Sequence, residues 1–307
     1  MDRRQRLRAA SCLANRSGLQ AGPWGASANH QIQMTQPALA LCDVSCTFVD
    51  RANPGQRYTA VRDVELAVGD GEFVSIVGPT GCGKSTLLNV AAGLLLPSTG
   101  TVDVFGETLG DRVNPRAGYI FQAESLMPWR TALGNVMAGL QFRGTAEPQA
   151  RAQAEEWLQR VGLAGFGDRF PHQLSGGMRK RTSLAQTLAL DPDIILMDEP
   201  FSALDIQTRQ LMENEVLELW SSKKKAVLFI THDLDEALAL SDRVLVMSAG
   251  PAARLIGEFA VDLSRPRDVA EIRTEPRFIA LHKAIWAVLR GEVLKGYSQQ
   301  LRKTATA

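Results

Sequence analysis

The chain has 307 residues, 45% of them hydrophobic, and 34 Lys and Arg stand against 33 Asp and Glu for a formal net charge of +1. That is enough apolar material for one large core or two modest ones, and it lacks the basic excess with which a nucleic-acid binder meets phosphate, so no nucleic-acid partner is expected. Four irregularly placed cysteines, Cys12, Cys42, Cys46 and Cys82, exclude a disulfide framework and point to a reducing compartment, and without a run of 18 apolar residues any membrane role has to come through a partner.

Residues 1–37 carry five arginines and one acid, Asp2, followed by small and polar residues without periodicity. This is the composition of a disordered tail. An organellar presequence shares the Arg-rich start but needs a clearer apolar period. Met34, just before QPALALCDVSCTF, reads as the start of the protein proper, with the preceding residues an upstream extension.

From Leu39 onward, ALCDVSCTF and AVRDVELAV alternate as half-buried strands do, and EFVSIVGP reads as a buried strand running into a glycine-rich turn. Cys42 and Cys46, four apart on the first strand, are either a metal-binding pair or two small buried residues. With no second Cys or His pair beside them, the buried reading is preferred. TLLNVAAGLL has the spacing of a helix packed on a sheet and stops before Pro97.

Residues 130–190 read as mostly helical, with QARAQAEEWLQRVGL amphipathic and SGGMRKRTSLAQTLAL opening at a glycine pair. Two buried strands follow, DIILMDEP and AVLFITHD, each leading into a helix (ALDIQTRQLMENEVLELW and DLDEALALS), and then RVLVMSAG. Such alternation predicts an α/β fold whose mainly parallel sheet is covered on both faces. Beyond Pro266 the chain is helical and charged, and no chemistry is legible there.

GPTGCGKST, residues Gly78, Pro79, Thr80, Gly81, Cys82, Gly83, Lys84, Ser85 and Thr86, fits the P-loop pattern between a strand and a helix. Glycines let backbone N–H groups converge on phosphate oxygens, and the helix adds its positive end. Lys84 then reaches the β- and γ-phosphates, and Ser85 ligates Mg²⁺. A second metal carboxylate is needed at the end of a neighbouring buried strand, and Asp198 after IILM supplies it. Glu199 comes next. Because side chains alternate along a strand, Glu199 cannot share Asp198's direction, which leaves it free to act as general base on an attacking water.

GPTGCGKST, Gln122 in YIFQAE, LSGGM, ILMDEP, SALD and His232 in FITHD, in this order, resemble the ATP-binding subunit of ABC transporters over residues 39–250. The resemblance implies a P-loop NTPase core with an N-terminal antiparallel β subdomain and an inserted α-helical signature subdomain. The nucleotide-binding domain would span 38–265, with its helical part near 128–190 and a C-terminal helical extension at 266–307. It implies ATP and Mg²⁺, and a homodimer in which Ser175, Gly176 and Gly177 of one subunit grip the γ-phosphate held by the P-loop of the other. Gln122 would sense metal and water, His232 would contact the γ-phosphate and orient the base, and Asp205 would couple the two sites. Phe48 matches the aromatic that stacks on adenine, with Tyr58 as its rival because the stretch VDRANPGQRYTAV is long. Two residues depart from the family pattern: Lys180, where Gln is usual, and Gln186, where Arg is common. Both are expected to affect tuning and not activity.

MPWRTALGNV, GGMRKR and RPRDVAEIRTEPRFIALHKAIWAVLRGEV resemble the branch importing nitrate, sulfonate, taurine and related small anions in bacteria. That implies integral membrane permease subunits, a periplasmic substrate-binding protein and a peripheral position on the cytoplasmic face of the inner membrane. The competing classes are an importer of another solute, a DNA-maintenance ABC ATPase and a translation-associated one. A DNA-maintenance protein would show long heptads or zinc-binding CxxC pairs, and a translation-associated one two cassettes and a basic linker. An ordinary P-loop kinase has no use for LSGGM or SALD.

Overall fold

In the computed structural model the described residues are 36–49 and 55–305. The tail expected at 1–37 lies almost entirely outside them. Strands β1 (Leu39–Val49), β2 (Arg57–Val68), β4 (Thr99–Val104) and β5 (Glu107–Thr108) form an antiparallel sheet in the order β2-β1-β4-β5. A six-stranded sheet has the order β10-β9-β3-β8-β7-β6, made of β3 (Phe73–Val77), β6 (Ala117–Ile120), β7 (Ile194–Asp198), β8 (Ala226–Ile230), β9 (Arg243–Met247) and β10 (Leu255–Ala260). Its strands run parallel except for the edge strand β10, which is antiparallel to β9.

The central strands FVSIV, IILMD and AVLFI are buried at every position, as both-face coverage requires. Side chains of odd and even positions go to different cores. Phe73, Ile195, Met197, Val227 and Phe229 join one with the helices of the signature segment and the C-terminal half. Val74, Ile76, Leu196, Leu228 and Ile230 join the other with the antiparallel sheet and the helix after the P-loop. In the first core the ring of Phe73 meets Trp220 and Phe229 edge-on at 6.2 and 6.0 Å, the geometry aromatic quadrupoles favour.

The alternation expected of the first strand is broken. β1 shifts register on both sides of Val44, and Asp43 takes a left-handed φ of 52°, as a bulged strand does. Cys46 is buried and Cys42 half-buried, so a spacing of four did not fix a common face.

Helix α1 (Lys84–Ala91) follows the P-loop and ends where Gly93 turns at φ 70°. A Cβ at Gly93 would sit 2.2 Å from the Arg112 carbonyl oxygen, so only glycine fits. Helices α2 (Ala132–Phe142), α3 (Glu147–Arg160) and α4 (Gly176–Leu188) pack together through Leu133, Val136, Leu140, Ala154, Trp157, Leu158, Leu184 and Leu188. Thr131 caps α2 by accepting from Gly134 N at 3.1 Å.

Helices α5 (Ile206–Lys223) and α6 (Leu234–Leu240) follow β7 and β8. The last helix, α7 (Pro276–Ala305), buries Phe278, Leu281, Ile285 and Leu289, one helical stripe. Further on, Glu292 accepts from Ala249 N at 2.8 Å, and a Cβ at Gly296 would lie 3.2 Å from Pro79. The C-terminal segment, in which no chemistry was legible, thus reaches the rim of the P-loop.

Candidate nucleotide site

The P-loop leaves β3 and enters α1 through Gly83, whose φ is 103° and whose Cβ, if present, would sit 2.6 Å from Val61. Glycine is therefore required where the loop tightens against β2. Lys84 is buried, and its Nζ donates to the carbonyls of Gly78 at 2.9 Å and Pro79 at 3.1 Å. The loop's own oxygens satisfy the cation, and phosphate oxygens would be stronger, charged acceptors for it.

Asp198 ends β7 in a buried position. Burial pushes its carboxyl upward in pKa, while a hydrogen bond from Ser85 and the nearby Lys84 and Lys180 cations oppose this. The Ser85 hydroxyl and the Asp198 carboxylate are thus in contact and supply only oxygen donors. Such a pair suits Mg²⁺, a hard cation that takes few protein ligands and completes its shell with water and substrate phosphates.

Glu199 departs from strand geometry in a way alternation alone did not anticipate. Its φ is 44°, left-handed, while its N–H donates to Ile230 O at 2.9 Å and keeps it tied to β8. A non-glycine residue in this region marks a constrained turn. The turn carries the Glu199 side chain between two others: its Oε2 accepts from Gln122 Nε2 at 3.1 Å and lies 3.2 Å from His232 Nδ1. His232 is itself bracketed, because Thr231 Oγ1 is bonded to Glu236 Oε2 at 2.5 Å and accepts from Asp233 N at 3.0 Å. Nothing in the sequence flagged Thr231 and Glu236.

One open cavity of about 460 Å³ brings together Phe48, Tyr58, Thr80, Gly81, Gly83, Lys84, Ser85, Thr86, Gln122, Glu199 and His232. Phe48 and Tyr58 are direct cross-strand partners on β1 and β2, so the two aromatic candidates form one wall. Tyr58 leans inward: a Cβ at Gly250 would sit 3.6 Å from its hydroxyl and 3.7 Å from Gly81 O.

Ser175, Gly176, Gly177 and Asp205 do not line this cavity. Ser175 caps α4, its Oγ accepting from Met178 N at 3.2 Å, and Asp205 caps α5, accepting from Thr208 N at 3.0 Å. That Thr208 amide bond holds the Asp205 carboxyl below its usual pKa range. The two caps are neighbours, since a Cβ at Gly177 would lie 3.5 Å from Leu204. Lys180, expected only to tune, is completely buried and donates to Phe121 O at 2.6 Å and Gln122 O at 2.8 Å. Gln186 is half-buried in α4.

The family model for ABC transporters matches residues 61–202. An uncharacterized ABC transporter ATP-binding protein of Methanocaldococcus jannaschii is 46% identical over 241 residues, covering 78% of this chain and 88% of the relative. A taurine import ATP-binding protein of Pseudomonas aeruginosa is 42% identical, covering 79% and 92%. A bicarbonate transport ATP-binding protein of Synechocystis is 39% identical, covering 81% and 88%. Among solved structures, an ATP-binding cassette in a dimeric post-hydrolysis state with ADP and Pi superposes with a TM-score of 0.67 at 30% identity. That match covers 74% of this chain and all of the other. With the P-loop, both carboxylates and the signature turn on one such framework, the chain belongs to the ABC transporter family as one of its ATP-hydrolysing cassettes.

Proposed function

We propose that this chain is the energy-coupling subunit of an importer for a small anion such as nitrate, a sulfonate or taurine. It works as a homodimer beneath integral membrane permease subunits, peripheral on the cytoplasmic face of the inner membrane. The permease in turn takes solute from a periplasmic substrate-binding protein. Relatives named for taurine import and bicarbonate transport favour this class of solute.

The observation that carries the catalytic reading is the half-built character of the site. Lys84, Ser85, Gln122, Glu199 and His232 share one cavity, whereas Ser175, Gly176 and Gly177 stand away from it at the start of a helix. A helix N-terminus with a hydroxyl at its cap is suited to an anion such as a γ-phosphate. A second subunit, packed head to tail, supplies that phosphate and receives the same service in return.

ATP lies with its phosphates in the loop Gly78–Thr86 and its adenine against Phe48. Ser85, Asp198 and Gln122 are the residues that would hold Mg²⁺, which when bound would supply positive charge against the charge developing on the phosphates. Glu199 takes the proton of the attacking water, Gln122 and His232 keep that carboxylate in place, and His232 also faces the γ-phosphate. Closure of the dimer moves the docked permease, and product release reopens it.

The test uses Glu199→Gln, which keeps the side chain's shape but removes the base. ATP binds normally, turnover falls by about two orders of magnitude or more, and uncleaved ATP holds the dimer together in light scattering. Adding Ser175→Arg places a bulky cation where the partner's nucleotide must sit. The double variant is expected to bind fluorescent ATP as a monomer, and full ATP-dependent dimerisation by it would overturn the composite site.

A further inference from the structure

Lys180 is a cation with no exposed surface, placed on the second turn of α4. A long charged side chain is rarely buried unless something specific is gained. Its Nζ spans two consecutive carbonyls, Phe121 O at 2.6 Å and Gln122 O at 2.8 Å, just where the chain leaves β6. The charged groups facing it are Glu124, Asp198 and Glu199. Its neighbour Arg179 pairs with Glu124 at 3.6 Å, so the same helical turn holds the segment after β6 at a second point.

We propose that Lys180 is a positioning residue for ATP hydrolysis: it pins the backbone of Gln122 to the signature helix and thereby holds the Gln122 side chain against Glu199. This rests on the reading of Gln122 and Glu199 given above. Every link is a direct contact: Lys180 Nζ to Gln122 O, then Gln122 Nε2 to Glu199 Oε2 at 3.1 Å. Helix α4 is stiff, and from Gly176 to Lys180 is little more than one turn, about 6 Å at 1.5 Å per residue. A shift of the signature turn on closing against the partner's nucleotide therefore passes undamped to Gln122. Lysine suits this task because its ammonium carries three donors and can serve two carbonyls at once, and its charge lies near the carboxylates Asp198 and Glu199.

The experiment compares the full-length wild type with Lys180→Met, which keeps length and loses the donors, and Lys180→Gln, which keeps an amide donor. For each, kcat, fluorescent-ATP Kd and thermal melting are measured. Expected are a tenfold or greater loss of kcat in Lys180→Met with Kd within twofold, and an intermediate kcat in Lys180→Gln. In a Gln122→Ala background Lys180→Met is expected to change kcat by less than twofold, since residues acting as a unit are not additive.

Unchanged kcat per folded protein, or fully additive losses in the double variant, overturns the proposal. If Lys180→Met does not fold, Lys180→Ala, which also lacks the donors, is decisive: a kcat at least threefold low at unaltered Kd supports the role, and wild-type kcat refutes it. Glu199→Gln is run alongside. Full activity there would instead sink the reading of the catalytic site, which keeps the two failures distinguishable.

Discussion

Glu213 on α5 is fully buried, and neither carboxyl oxygen has a hydrogen-bond partner among the described residues. Arg273 approaches to 3.6 Å, an ion-pair distance too long for a hydrogen bond. Burial, with Glu236 and Asp233 nearby, pushes its pKa from 4.5 up to about 8, against the opposing pull of Arg273 and Arg209. Burial also pushes the Glu236 carboxyl upward, but Glu236 accepts from Thr231 and lies 3.6 Å from Arg209, partners that Glu213 lacks. Between pH 4.5 and 8 the folded protein keeps the Glu213 proton while the unfolded chain releases it. Stability therefore falls as pH rises through that window, and the penalty is complete above it.

From pH 6 to pH 8 the linkage relation gives a loss of about 2 kcal/mol from this one group. Glu213→Gln mimics the protonated form and removes the dependence. Melting temperatures of wild type and variant, followed by scanning fluorimetry, should separate by roughly 4 °C more at pH 8 than at pH 6, with the variant higher. Titrations that do not sense Glu213 cancel in that difference. A gap that stays constant or shrinks toward pH 8 would show that Glu213 is ionised throughout and the burial argument is wrong.

Arg267 is buried and donates to five carbonyls, those of Leu238, Ala239, Ser241, Val261 and Leu263. Arg267→Met strands these acceptors and should cost on the order of 3 kcal/mol or more, read as a lower urea midpoint at unchanged ATP affinity in the folded protein. Phe48→Ala should weaken ATP binding about tenfold, the usual worth of one aromatic stacked on a base, and Tyr58→Ala less than threefold. The reverse order in a fluorescence titration would transfer the adenine wall to Tyr58.

Much of the fold was legible because its signals are local. A continuous apolar run such as IILM, bounded by turn residues, has few outcomes other than a buried strand, and GPTGCGKST between strand and helix encodes its own loop through glycine φ values and a lysine of fixed reach. SGGM opening a helix was readable for the same reason, since capping is decided within four residues.

Tertiary structure decided the rest, where the outcome depends on chain segments far apart. Strand alternation separated Asp198 from Glu199 in direction, but the left-handed turn at Glu199 is set by its hydrogen bond to Ile230, and its partners Gln122 and His232 come from two other strand ends. No local rule marks Cys42 and Cys46 as out of phase, because a bulge is a response to two neighbouring strands at once. Lys180 is the sharpest case. Within its helix it reads as one basic residue among three in RKR, and only the arrival of the end of β6 beneath α4, bringing the Phe121 and Gln122 carbonyls within reach of its ammonium, converts a surface-type side chain into a buried tie.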